Sequence, residues 1–282
     1  MIRSRTKQSN ARLLAAGVLA AATMAASTSV LSQVWPTNTV KQNILSGAPL
    51  VAKRIDTSDP ATYCAIASTP GTNFTWTDMV SSGLDYSYAW AMWAASCPTA
   101  VATMRGAEIL YAERPSFLDG ALPRPPAPRE LVKKEVQRAA DGGAMVLMIQ
   151  VDSAAQAQQV VQRAYYPPIG TRDLGPGQYD TVYPASVTGG NYVGTYNANL
   201  VVIAIISTVA GASQAKMIAA TSGIHAIFLD AMNLESDSGY AQGSPDFNNL
   251  ASFVRLSALA SHKYLCTTDR TTTPNTLTCA KS

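Results

Sequence analysis

Apolar and polar positions alternate along this chain in a strand–helix rhythm. Residues 74–79 (FTWTDM) read as a strand. Residues 130–141 (ELVKKEVQRAAD) show helical spacing and end at Gly142 and Gly143. Residues 144–151 (AMVLMIQV) form an unbroken apolar run, the pattern of a strand buried on both faces. Asp152 or Ser153 can cap a following helix at 154–164. The cycle repeats with a strand at 200–206 (LVVIAII), a helix at 210–221 that Gly223 can end, a strand at 225–230 (HAIFLD), a helix near 246–261 and a short strand around Tyr264. Apolar strands alternating with helices predict an α/β fold with a parallel sheet covered by helices. At this length the expected form is a (β/α)8 TIM-type barrel, with an open doubly wound sheet as the alternative. No glycine-rich phosphate loop follows any strand, which weighs against nucleotide binding.

The first residues follow a different rule. Arg3, Arg5, Lys7 and Arg12 precede a run of small and apolar residues from Leu13 to Ala26, and no acid occurs before Asp56. A basic flank, an apolar stretch and then small residues is the layout of a secretory signal. The run is shorter than the roughly 18–20 residues of a membrane-spanning helix. The expected organisation is a signal peptide at 1–33, an extended N-terminal arm at 34–55, a barrel at 56–265 and a Thr-rich, Cys-bounded tail at 266–282. The expected location is periplasmic or secreted, with no membrane span after cleavage. The formal net charge is +3, and removing the leader's four basic residues leaves about −1, so nothing electrostatic supports a nucleic-acid partner.

Four cysteines, Cys64, Cys97, Cys266 and Cys279, suit an oxidising compartment. Cys266 with Cys279 is the favoured pair, because little else holds down the intervening tail. For Cys64 and Cys97, a disulfide and buried thiols are both open. No CxxC occurs and the chain has only two His, so no zinc site is legible.

Several segments resemble the HpcH/HpaI aldolase and citrate lyase family. They are YYPPIGTRDLG at 165–175, IAIISTVAG at 203–211, GIHAIFLDAMNLESDSGY at 223–240 and, more weakly, FTWTDMVSSGLDY at 74–86. The similarity runs from Asn43 to Arg270. The resemblance implies a barrel that binds a divalent metal through a Glu and an Asp, with a His base and an Arg, and stabilises the enolate of a 2-oxo acid.

Carried across residue by residue, that chemistry is missing. The metal Glu position is Ser207, the metal Asp position is Asn233 and the His position is Ser81. Arg124 is the nearest residue to the expected Arg, about three residues out of register. A hard dication prefers anionic oxygens, and two have been replaced by neutral ones. The candidate site is therefore Asp78 and Arg124 as catalytic remnants, Arg172, Gln178, Ser207 and Asn233 as substrate-binding residues, and no metal. For Arg172 and its neighbours the structural alternative is loop shaping. Asp230, Glu235 and Asp237 lack the spacing of a calcium loop. Glu108, Glu113 and Asp119 fall where the resemblance gives no alignment, and one of them could stand in as an acid. His225 reads as a core residue and His262 as solvent-facing.

Only 49 residues follow Asn233, fewer than the resemblance implies, so the barrel is expected to be incomplete at its C-terminal end. An incomplete barrel needs a cover. The resulting expectation is a binding or assembly subunit without cofactor, a homo-oligomer or part of a larger exported assembly. The alternative is a periplasmic carbon–carbon lyase with a rearranged site using Mg or Mn.

Overall fold

In the computed structural model of the chain, the described residues are 38–78, 104–109, 136–137, 139–140, 144–174, 191–268 and 275–281. The expected signal peptide at 1–33 lies outside them. Eight strands close a barrel in chain order: β1 (Leu50–Ile55), β2 (Phe74–Asp78), β3 (Met104–Ile109), β4 (Val146–Gln150), β5 (Val201–Ile206), β6 (Ala226–Leu229), β7 (Tyr264–Thr268) and β8 (Thr276–Lys281). Strands β1 to β7 are successively parallel. Strand β8 runs antiparallel to both of its neighbours, β7 and β1.

The strands sort their side chains by a period of two. Leu50, Ala52, Phe74, Trp76, Val146, Met148, Val201, Ile203, Ile205, Ala226, Phe228, Tyr264, Cys266, Leu277 and Cys279 form one buried cluster, the barrel interior. The alternate residues Leu147, Ile149, Val202, Ala204, Ile206, Ile227 and Leu229 pack outward under the helices. Central strands buried on both faces account for the unbroken apolar runs.

The helices are α1 (Thr39–Ser46), α2 (Pro60–Ala67), α3 (Ala154–Ala164), α4 (Tyr192–Asn199), α5 (Val209–Ser213), α6 (Ala215–Ala220), α7 (Ala231–Ser238) and α8 (Pro245–Ala260). Most begin at a side-chain oxygen that accepts an otherwise unpaired amide: Asn38, Asp59, Ser153, Asn191, Thr208, Asp230 and Ser244. Helices α1 and α7 stop at Gly47 and Gly239, both at positive φ.

Three expectations change. The barrel is closed rather than incomplete, because the tail supplies β8: Leu277 pairs with Ala52 on one side and Thr268 on the other. The Thr-rich composition hid a strand whose alternate residues, Leu277 and Cys279, face inward. Residues 34–55 are not an extended arm over their described part. Asn38 caps α1, which lies at the N-terminal end of the barrel, and Leu50–Ile55 is the first strand. The single helix expected at 210–221 is two, meeting at Gln214.

The N-terminal end of the barrel is tied to α1 by polar contacts. The Asn38 side chain donates to Asn199 O at 2.7 Å and Met145 O at 3.3 Å. Tyr264 Oη donates to Asn43 O at 2.9 Å and Ala48 O at 3.0 Å. Val40 sits within the interior cluster.

A disulfide joins Cys266 and Cys279, which are direct partners across the β7–β8 ladder. Cys64 is also disulfide-bonded, and its expected partner Cys97 lies outside the described residues. The Cys266–Cys279 bridge closes a loop with a sequence separation of 13 residues, for which chain entropy gives about 3 kcal/mol. Replacing both Cys266 and Cys279 by Ala should lower the unfolding free energy by at least about 3 kcal/mol in urea denaturation without reductant, which leaves the Cys64 bridge intact.

Candidate functional site at the C-terminal mouth of the barrel

In a barrel of parallel strands, side chains that follow the strands' C-terminal ends converge on one mouth. Continuing each inward-facing series by one step identifies the residues there. Val146 and Met148 lead to Gln150 on β4, Ile203 and Ile205 to Ser207 after β5, Ala226 and Phe228 to Asp230 after β6, and Leu50 and Ala52 to Arg54 on β1. On β2 and β3, Asp78 stands in register with Glu108, and Glu108 with Met148.

Ser207 is fully buried and its Oγ has no hydrogen-bond partner among the described residues. Leaving a buried hydroxyl unsatisfied costs on the order of 1–3 kcal/mol, so this is the position in the mouth where a ligand's polar atom would be most rewarded. Asn233 lies on the first turn of α7. Its backbone N–H donates to Asp230 Oδ1 at 3.3 Å, and its amide nitrogen donates to Asp230 Oδ2. Asp230 thereby serves as the cap of α7. Thr208 caps α5 by accepting from Gly211 N at 2.9 Å and donates its own proton to Asp152 Oδ1. A Cβ on Gly211 would come within 2.9 Å of Val151 O, so this close crossing after β4 and β5 requires glycine. The backbone of Val209 donates to Asp237 Oδ2 at 2.8 Å.

Among the described residues, Arg172 is not gathered at this mouth. Arg172 is 4% exposed and sits in the helix layer, its guanidinium 4.8 Å from the Tyr166 ring centre and 4.6 Å from that of Tyr196. Tyr196 belongs to α4, which leads directly into the start of β5. Tyr166 and Tyr196 meet edge to face at 5.1 Å, and burial holds the Tyr192 hydroxyl above its ordinary titration range. The Tyr-Pro-Pro turn is anchored by Thr171 N donating to Gln162 O and Arg172 N to Tyr165 O. A Cβ on Gly170 would lie 2.3 Å from Tyr165 O, which explains the glycine of that motif. Loop shaping is thus the role these contacts support for Arg172. Arg124, Gln178, Ser81, Glu113 and Asp119 lie outside the described residues. Glu235 accepts from Gln242 at 2.7 Å, so Asp230, Glu235 and Asp237 face separate partners rather than one cation. His262 is exposed at positive φ after α8.

Among the described residues, the donor set at this mouth does not fit a hard dication. The two positions that would carry carboxylates hold a hydroxyl and an amide, and the neighbouring Asp230 is engaged by Asn233. Among the described residues no group of three or more His, Cys, Asp or Glu is arranged to hold a metal. What the mouth offers instead is a row of hydrogen-bonding groups, Gln150, Ser207 and Asn233, flanked by the carboxylates of Asp152 and Asp230. Gln150 and Arg54 were missed from sequence. Both could have been found by extending the inward alternation two residues past Met148 and Ala52.

The model of the HpcH/HpaI aldolase/citrate lyase family matches residues 123–272, more than half of the chain. The chain belongs to this family. It is 31% identical over 128 residues to a hydroxypyruvate/pyruvate aldolase of Chromohalobacter salexigens, covering 45% of this chain and 49% of that protein. It is 35% identical over 118 residues to a 4-hydroxy-2-oxovalerate aldolase of Novosphingobium aromaticivorans, covering 41% and 42%. The chain therefore spans at most about half the length of these curated relatives. An HpcH/HpaI aldolase/citrate lyase family protein from Burkholderia cenocepacia superposes with a TM-score of 0.65 at 22% identity, over 81% of this chain and 83% of that one. The HpcH/HpaI aldolase from Desulfitobacterium hafniense gives 0.64 at 20% identity, over 80% of each. At these identities the structural likeness is one of fold. No described helix is long and apolar enough to cross a membrane.

Within the HpcH/HpaI fold the placement of Arg172 has a measurable consequence. Arg172→Leu should lower stability by about 1–2 kcal/mol, the loss of a desolvated guanidinium stacked on aromatic rings, read as a lower urea midpoint. A residue reserved for substrate would leave the midpoint unchanged.

Proposed function

We propose that this protein is an exported HpcH/HpaI-type barrel that has given up metal-dependent aldol chemistry and serves as a binding or assembly subunit. The observation that carries this reading is the pair Ser207 and Asn233. Both stand at the C-terminal mouth, at the positions matching the family's metal carboxylates, and neither can supply a negative charge. Losing two anionic ligands together removes most of the attraction for a dication. With no metal held there, no cation neutralises the enolate oxygen of a 2-oxo acid.

Export is supported by the basic and apolar leader and by the disulfide-bonded state of Cys64, Cys266 and Cys279, which suits an oxidising compartment. Assembly, as a homo-oligomer or with another exported protein, is supported by apolar side chains left in water on α8: Phe253, Leu256 and Leu259.

A second reading keeps catalysis. The curated relatives are aldolases, and acidic residues occupy strand-end positions: Asp230 after β6, with Asp78 and Glu108 at paired register positions on β2 and β3. That reading is a carbon–carbon lyase with a rearranged site, using Mg or Mn.

The two diverge in one experiment. The double variant Ser207→Glu, Asn233→Asp restores both carboxylates. On the proposed reading it should bind Mn2+ at least roughly tenfold more tightly than the parent, measured by calorimetry, while the parent releases no pyruvate from a 4-hydroxy-2-oxo acid with or without Mn2+. Pyruvate release by the parent would establish the lyase reading instead.

A further inference from the structure

At the opposite, N-terminal end of the barrel, Lys41 on α1 meets His225, which immediately precedes β6. The Val202 N–H donates to His225 Nδ1 at 3.1 Å. A ring nitrogen that accepts carries no proton, so the proton of the neutral imidazole is on Nε2. Nε2 is the atom in contact with Lys41 Nζ. An ammonium group has three donors and no lone pair, and would face the Nε2–H donor to donor. An imidazolium would set a proton against the Val202 N–H. One pairing satisfies every contact: a neutral ring donating from Nε2 to a neutral amine, whose own N–H donates to Leu200 O at 3.3 Å.

The surroundings push the same way. Burial, with Lys263 nearby, draws Lys41 down from 10.5 to about 8, and burial with the two lysines draws His225 down from 6.5 to about 3. The described groups facing this corner are cationic or neutral. Lys263, ahead of β7, donates to Ile224 O at 2.7 Å. Tyr264 spends its hydroxyl on Asn43 O and Ala48 O. From β8, Lys281 reaches toward Gly47. No described carboxylate pairs with Lys41, and the ion pair Arg54–Asp56 lies at the C-terminal end of β1, at the other mouth.

We propose that Lys41 is a nucleophilic amine and a modification site for activated acyl groups such as thioesters or anhydrides, kept in its reactive form by His225. In the reaction the Nε2–H···Nζ hydrogen bond opens, the freed Nζ lone pair attacks the acyl carbon and an N–C bond forms. The bond to the leaving group breaks, and the leaving group departs with its electron pair and takes up the proton that nitrogen loses. The amide product retains one N–H for Leu200 O, and its carbonyl oxygen can accept from His225 Nε2–H. Acylation therefore leaves α1 seated. Lys41 as a residue is half-buried.

Competitive labelling of the folded protein with trace acetic anhydride between pH 6 and 10, followed by peptide mass spectrometry, tests this. Lys41 should titrate with a midpoint near 8 and, at pH 7.5, label roughly tenfold faster than the exposed Lys216. In a His225→Asn variant that remains folded by circular dichroism, the midpoint should rise by at least about one unit. The wild-type profile decides even where that variant fails to fold. A Lys41 midpoint at or above about 10, or labelling slower than Lys216 at every pH, overturns the proposal.

Discussion

The structure depends on how its last strand closes the barrel. Seven parallel strands leave two open edges, at β1 and β7, and an open edge exposes a row of unpaired amides and carbonyls. Strand β8 enters between them antiparallel, pairs with both, and carries Leu277 and Cys279 into the interior. The reversal fits the short connection between Thr268 and Thr276. A further parallel strand would need a crossover of a dozen residues or more, whereas an antiparallel one needs only a hairpin. The Cys266–Cys279 bridge pins that hairpin at a directly paired position.

Once the ring is closed, the alternation of side chains assigns everything else. Inward residues fill the barrel in layers, outward residues bind it to the helices, and the next inward position past each strand end falls at a mouth. On the proposed reading the C-terminal mouth keeps the family's barrel but not its metal charges, with Ser207 and Asn233 offering neutral atoms. Asp230, one turn before Asn233, is held by capping α7. The N-terminal end is organised differently, around α1 and the neutral Lys41–His225 pair.

What could be read from sequence follows from this division. Strands β4, β5 and β6 are buried on both faces, so their apolar runs stand out, and α3 was legible from its cap at Ser153 to its end at Ala164. Strand β1 (LVAKRI) and strand β3 (MRGAEI) carry charged residues among the apolar ones, and β8 (TLTCAK) looks like a polar tail. Their alternation is visible only once the barrel is known to close. Ser207 and Asn233 were legible through resemblance alone, because a serine and an asparagine carry no chemical signature of their own. Arg172 was legible only through its motif, which names a residue without giving its contacts; the structure sets its guanidinium against Tyr166 and Tyr196. The Lys41–His225 contact joins residues 184 positions apart and had no local signal.

The central claim is that this family member's mouth no longer holds a dication. Equilibrium dialysis of the purified, disulfide-intact protein against Mn2+, with bound metal counted per chain, tests it most directly. The account predicts no specific, saturable site near neutral pH. One tightly bound Mn2+ per chain, lost when Asp230 is replaced by Asn, would contradict it.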